Sequence, residues 1–284
     1  MTKTVKSIQI NDDYFFLEAF LDPLNKRIRI DDYHGNCERV IQMGEELAGE
    51  YQAEKVIFKV RFEHFVPFLA QGYQLEATVD GYFRGSDACF FAKYFTAERK
   101  KSDHWLAEDA ILRRVCQLSP VKKQVSLSGD YMMQKVDESL ASELAAHYGR
   151  VFQIYPTPLN DPEYVKQTIG KGTIYYVFHY QGEIVSAASA EINPLYRNAE
   201  ITDCATLPEH RKAGLMKVLL TKLESELRVN GIYCAYSIAR SLSFGMNAVL
   251  FQLGYGYRGR LMNNCYIYDK LEDMNMWVKN LASC

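Results

Sequence analysis

The chain has 284 residues, 48% of them hydrophobic and 24% charged, with a net charge of −2, the balance of a globular protein rather than a disordered or fibrous one. So even a charge supplies no general pull toward nucleic acid or an anionic membrane, so neither is expected as a partner and any anion site has to be local. No apolar run approaches the roughly 20 residues of a membrane span; the opening MTKTVKSIQINDDYFF lacks the apolar core of a signal peptide, and seven cysteines without a CxxC pair read as reduced thiols of a cytoplasmic protein with no metal.

Early in the chain, NKRIRI (25–30) and KVIFKV (55–60) read as strands, with the acidic corner DDYHGNCE (31–38) between them. The stretch LSPVKKQVSLSGD (118–130) is polar, carries Pro120 and Gly129, and shows no helical face. It reads as a linker at 121–130, dividing a domain at 1–120 from one at 131–284. Beyond it, VDESLASELAAHYGRVF opens with an N-cap at Asp137 and sets Leu140, Leu144, Tyr148 and Val151 on one helical face. A loop with Pro156, Pro158 and Pro162 and a short helix at Glu163–Ile169 come next. TIYYVFHY, EIVSAASAEI and AEITDCATL, joined by turns at Gln181–Gly182 and Asn193–Pro194, read as neighbouring antiparallel strands. A long helix then shows the apolar stripe Leu215, Val218, Leu219, Leu223 and Leu227, ended by Gly231. IYCAYSIA reads as a buried strand, 243–253 as a helix, and GYGYRGRLMNNCYIYD as two further strands.

The first half reads as a faint copy of the second. A shift of 176 lays His34 on His210, Leu47 on Leu223, Glu50 on Glu226, NKRIRI on ITDCAT and KVIFKV on GIYCAY. Under that shift Glu38 falls on Gly214, and Asp31 and Asp32 make the first corner acidic. The second corner, LPEHRKAGLMK (207–217), is basic. A helix N-terminus offers unpaired N–H groups and about half a unit of positive charge. With Arg211, Lys212 and Gly214 before it, the corner is a cradle for a phosphate, the alternative being a plain strand–helix turn with surface cations. There is no P-loop, GxGxxG, GxSxG or HExxH, and the six histidines form no ligand set.

The order of antiparallel strands, Arg-x-x-Gly, long helix, strand, helix and Gly-Tyr resembles the GNAT family of acetyl-CoA-dependent N-acetyltransferases. The family signature Arg/Gln-x-x-Gly-x-Gly/Ala stands here as Arg211-Lys212-Ala213-Gly214-Leu215-Met216. The resemblance implies an α/β fold: a mixed, mostly antiparallel GNAT sheet with flanking helices, preceded by a smaller degenerate GNAT-like domain. It implies acetyl-CoA as cosubstrate and no metal, with the 211–216 amides on the coenzyme pyrophosphate. The pantetheine arm would pair with the strand at Asp203–Thr206, through Cys204, Ala205 and Thr206, and Asn247 would be a further coenzyme contact. Met216 departs from the signature, which suggests a crowded helix start and weaker cofactor affinity.

A closer resemblance runs over nearly the whole chain. NAEITDCATLPEHR, SIARSLSFGMN, GYGYRGRLMNN, MNMWVKNL and, earlier, GYQLEATVDGYFRGSDACFFAKYF are similar to segments of the bacterial and archaeal β-lysine N-acetyltransferases. That implies a small-molecule amine substrate, acetylated on its terminal nitrogen to give an osmolyte, by a monomer or homodimer. A different amine, such as a polyamine, another diamino acid or a protein lysine, or a non-catalytic acyl-CoA sensor, is the alternative.

An ordinary lysine-type amine titrates near 10.4, so acetylation needs a base. Glu200, eleven residues before Arg211, matches the spacing of the glutamate base in histone-type relatives. Asp203 and Glu191 are acids within apolar strands and candidates for binding the substrate ammonium. Strict alternation puts Glu200 and Asp203 on opposite faces unless a bulge intervenes. The tyrosine acid that many GNAT enzymes supply falls at Leu250, which leaves Tyr255 or Tyr257. Arg240 is the candidate for a substrate carboxylate, and Asn263 and Asn264 for a second amine, with a structural salt bridge and a strand-end turn as the plainer readings.

Overall fold

The computed structural model describes residues 5–120, 127, 129–152, 157–267 and 270–282. Most of the linker stretch (121–126 and 128) and Pro156 lie outside the described residues. The first half contains β1 (Lys6–Asn11), β2 (Phe15–Asp22), β3 (Arg27–Gly35), α1 (Cys37–Glu50), β4 (Lys55–Arg61), α2 (Phe65–Ala70), β5 (Gln74–Phe83) and β6 (Ser86–Tyr94). Two helices, α3 (Ala97–Lys100) and α4 (Trp105–Cys116), lead out of it. The second half contains β7 (Tyr131–Lys135), α5 (Ala141–Val151), α6 (Pro162–Gly170), β8 (Ile174–Tyr180), β9 (Glu183–Asn193) and β10 (Asn198–Thr206). It ends with α7 (Leu215–Val229), β11 (Cys234–Arg240), α8 (Phe244–Gln252), β12 (Gly256–Ile267) and β13 (Lys270–Asn280).

All the strands join one sheet, in the order β1-β2-β3-β4-β6-β5-β12-β13-β11-β10-β9-β8-β7. Read outward from the β5–β12 contact, the two halves repeat each other: hairpin, parallel strand pair, antiparallel strands. Among the described residues the parallel pairs are β3–β4, spanned by α1, and β10–β11, spanned by α7. The repeat read from the sequence is thus present in the topology, although its offset drifts. The N-caps Asn36 and Gly214 correspond at an offset of 178, so Glu38 matches Met216 rather than Gly214.

Alternation along the strands explains the layers. Ile28, Ile30, Val56, Phe58, Cys89 and Phe91 turn one way, into a core under α1. Ala199, Ile201, Ala235 and Ala239 do the same beneath Leu215, Leu219, Leu223 and Leu227 of α7. The opposite faces meet each other: Ile57, Tyr82 and Phe90 of the first half pack against Tyr236, Met276 and Val278 of the second. A fourth core joins α5 and α6 to β8, β9 and Ala205.

The seam between the halves is narrow. Gly259 pairs with Ala77, at φ +134°, where an added Cβ would lie 2.2 Å from the Glu76 carbonyl oxygen. Only glycine fits there. Lys55, fully buried, donates to Glu76 and to the Met262 carbonyl at 2.7 Å, stitching the halves beside that contact. One reading of the C-terminus changes: within GYGYRGRLMNNCYIYD, Gly256–Ile267 forms one long strand, β12, with two register shifts, and the strand that pairs with it, β13, begins at Lys270.

Candidate active site

β10 and β11 run side by side only from Asn198–Cys234 to Glu200–Tyr236. β11 stays paired with β13 along its whole length, while β10 bulges between Thr202 and Ala205 and continues to Thr206. Asp203 sits in that bulge at φ +52°. A wedge therefore opens between the two strands: among the described residues no ladder pair joins β10 to β11 beyond Glu200–Tyr236, which leaves room for an extended polar arm.

At the open end of the wedge stands the start of α7. Lys212 (φ +67°) and Gly214 (φ +87°) both take left-handed conformations, and among the described residues no side chain caps the helix. Its first turn contains no acid. Arg211 and Lys212 are exposed beside it, and the Arg211 Nε donates to the Thr206 carbonyl at 3.1 Å, tying the loop to the end of β10. Bare amides, the helix dipole and two cations at the mouth of this wedge fit a pyrophosphate with an extended arm. That is the shape of coenzyme A, so the residues present suit the group.

On the face turned away from α7, Glu200 stands beside its cross-strand partner Glu191. The bulge brings Asp203 onto this face too, where it accepts from the Ser189 hydroxyl at 2.8 Å. Tyr164 and Tyr175 turn toward the Glu191–Asp203 pair. From the first half come Arg29, Asp31 and Lys59. Burial, and then the Glu191 charge, push Glu200 up to about 7, while Arg29, Lys59 and a Tyr236 hydrogen bond oppose the rise. Burial and then Asp203 raise Glu191 as well. Protein surrounds Glu191 on most sides, yet its side chain stays open to solvent. The group lines a cleft.

Comparison with known proteins agrees with this geometry. The profile of the Acetyltransferase (GNAT) family matches residues 138–250, which span the acidic face, the wedge and the start of α7. An N-acetyltransferase of Bacillus subtilis, YodP, is 40% identical over 92% of this chain and 94% of its own length. The chain belongs to the GNAT acetyltransferase family. The β-lysine N(6)-acetyltransferase of Methanococcus maripaludis is 33% identical over 96% of this chain and 98% of its own length. That of Methanosarcina mazei is 33% identical over 88% of this chain and 100% of its own. This GNAT enzyme is an acetyl-CoA-dependent N-acetyltransferase, with acetyl-CoA as cosubstrate. Among the described residues no helix is long and apolar enough to cross a membrane, and no group of three His, Cys, Asp or Glu side chains could hold a metal ion.

The residues singled out from sequence fall into two groups. Glu191, Glu200 and Asp203 come together in the cleft. Arg211, Lys212, Ala213, Gly214, Leu215 and Met216 form the corner, with Cys204, Ala205 and Thr206 in the wedge. Leu215 is buried in the α7 core, and Met216 packs on that core half-buried. The remaining residues stand elsewhere.

Tyr255 is buried under α7 with Glu224 and Cys204 as neighbours; burial, and then Glu224, hold its phenol well above the ordinary range. Asn247 is saturated: its amide donates to the Arg240 and Ser243 carbonyls and accepts from Asn275 and Trp277, at 2.7–2.9 Å. Arg240 pairs bidentately with Glu272 at 2.7 Å. The Asn263 side-chain amide donates to the Arg99 and Lys101 carbonyls, and the Asn264 backbone carbonyl accepts from Arg27 and Arg99. Both asparagines knit β12 to the first half. Sequence reasoning missed Arg29 and Lys59. The signal was present as charges alternating with isoleucine in RIRID and with apolar residues in IFKVR.

Proposed function

We propose that this enzyme acetylates the terminal amine of β-lysine, with Glu200 as the general base. One observation carries the reading: a carboxylate raised to about 7 stands among further acids, next to the wedge and the bare helix start. Such a group is ionised often enough near neutral pH to take a proton and basic enough to hold it. Glu191 and Asp203 supply the negative charge that draws a diamine into the cleft, and the flanking tyrosines narrow it. Acetyl-CoA, when bound, supplies the thioester acyl group. The corner at 211–216 holds its pyrophosphate, and residues 203–206 align its arm toward Glu200. The proton leaves the substrate ammonium for Glu200 at its carboxylate oxygen, freeing the nitrogen lone pair. Tyr255, which keeps its proton in a core position, and Asn247, whose amide is already used, take structural roles in this reading. Residues 1–120 form a GNAT-like unit that closes the cleft, and 131–284 the catalytic unit.

Support for β-lysine comes from the two archaeal relatives, which match this chain over almost their whole length. The test is thiol release from acetyl-CoA with purified enzyme and a panel of amines. β-Lysine should give the highest kcat/KM; a preference for polyamines or lysine peptides would overturn the substrate. Glu200→Gln should lower kcat about 100- to 1,000-fold while acetyl-CoA affinity stays within about twofold. In the native enzyme kcat should rise as pH passes about 7 and Glu200 ionises. Survival of that limb in the variant would remove Glu200 from the role. The sign for stability is opposite: a carboxyl raised in the fold contributes stability below its unfolded value of about 4.5, lost as pH climbs through about 7.

A further inference from the structure

The inner face of the first half carries charge that its own fold does not need. On β3, Ile28 and Ile30 fill the core under α1, so Arg29 and Asp31 point the other way, into the cleft. On β4, Phe58 and Val60 fill that core, which turns Lys59 inward beside them. Asp31 Oδ1 accepts from Arg29 Nε at 2.6 Å and from Lys59 Nζ at 2.8 Å, and its Oδ2 from Arg29 Nη2 at 3.0 Å. Lys59 also donates to the Tyr82 hydroxyl at 3.0 Å. Two cations thus share one carboxylate, and that carboxyl is held far below its usual range by them, burial opposing. The trio keeps one unit of positive charge in a crowded place.

Crowding makes an unmatched charge costly and an incoming anion welcome. The acids facing the trio across the cleft are Glu200 and Glu191, both raised toward their neutral forms. In the proposed complex the substrate's ammonium groups claim those acids, which leaves the trio's surplus charge for an anion. Arg29 remains 32% exposed and lines open space, while Lys59, buried at 10%, stands behind it on the shared carboxylate. An arginine fork already oriented by an aspartate, with a lysine beside it, suits a planar carboxylate. Arg240, the sequence candidate for that task, is committed to Glu272 on a different part of β11.

We propose that Arg29 and Lys59, held in place by Asp31, seat the carboxylate of the substrate, so that the first half of the chain selects amines that are also acids. The proposal rests on the reading of the cleft as the amine site, and it gives the first half a role in specificity. The substrate then lies across the cleft, its carboxylate on the first half and its ammonium groups on the acids of the second.

The test compares β-lysine with its decarboxylated analogue, which keeps both amines, at about pH 9 so that Glu200 is ionised in every variant. Arg29→Met and Lys59→Met should each raise KM for β-lysine about 10- to 100-fold, the loss of one charge-assisted hydrogen bond. Each should leave kcat for β-lysine within about threefold, and kcat/KM for the analogue within about twofold. Arg29→Lys and Lys59→Arg, which keep the charge, should recover most of the KM. Equal losses on both substrates would overturn the proposal and leave the base and the amine site standing. Carboxylate-dependent turnover of lysine or ornithine, with none of β-lysine, would sustain it while overturning the substrate proposed above. An unaltered enzyme that prefers the analogue would overturn both.

Discussion

The two helices that span the parallel strand pairs begin in opposite ways. At α1 the Asn36 side chain accepts from the Arg39 amide at 3.1 Å, and Glu38 lies in the first turn. At α7 Gly214 offers no side chain, and Arg211 and Lys212 stand just outside. A self-capped helix with an acid in its first turn has already answered its own N–H groups and dipole. A bare one leaves them for a ligand. In the function proposed above, the same topology yields a structural turn in one half and a coenzyme corner in the other, and a few residues decide which. The strands follow suit: β3 and β4 stay paired from Arg27–Lys55 to Ile30–Phe58, one residue pair further than β10 and β11.

The largest expected effect comes from converting the second corner into the first. Gly214→Asn with Met216→Glu recreates the Asn36–Glu38 arrangement at the start of α7. The cap competes for the amides, the acid faces the pyrophosphate, and a side chain is forced onto φ +87°. Acetyl-CoA affinity should fall at least about 100-fold, measured by calorimetry, with β-lysine binding nearly intact. Retained affinity would mean that the corner does not hold the pyrophosphate. The converse change, Asn36→Gly with Glu38→Met, should cost about 0.5–1 kcal/mol of stability in urea unfolding, a few tenths for the cap replaced by glycine and the rest for the lost dipole contact. It should confer no coenzyme binding, because Tyr33 and His34 stand where Arg211 and Lys212 flank the second corner and β3 and β4 stay paired further along. Binding there would show that the cap alone separates the halves.

How much of this could be read in advance follows from the range of the interaction involved. The corner was legible because helix starts are local: proline, basic pair, glycine and amphipathic stripe stand within about twenty residues. Glu200 was legible by its spacing from Arg211 in a recognised signature. The bulge that returns Asp203 to the face of Glu200 was anticipated only as a condition, because a positive φ at an aspartate leaves no mark in the pattern of neighbours. Asn247 and Asn263 are hard to read for a related reason. A buried asparagine looks functional from sequence, whereas its partners, such as Trp277 or the Arg99 carbonyl, are far along the chain. Arg29 and Lys59 became visible only when the sheet brought the faces of the two halves together, and no local window contains that closure.

The smallest expected effect concerns Met216, which takes the place of the small residue in the signature. Crowding at the helix start would predict tighter acetyl-CoA binding in Met216→Ala. Its side chain instead leans on the α7 core, half-buried, beside Leu215 and Leu219. A methionine is flexible enough to fill such a gap without pushing the backbone. What the corner needs from this position is the amide and the lack of negative charge, and both survive the change. Met216→Ala should therefore leave acetyl-CoA affinity within about twofold and cost about 1 kcal/mol of stability, the share of a partly buried side chain. A gain in affinity of about tenfold or more would reinstate crowding. It would also mean that the second corner, unlike the first, still departs from the geometry its ligand prefers.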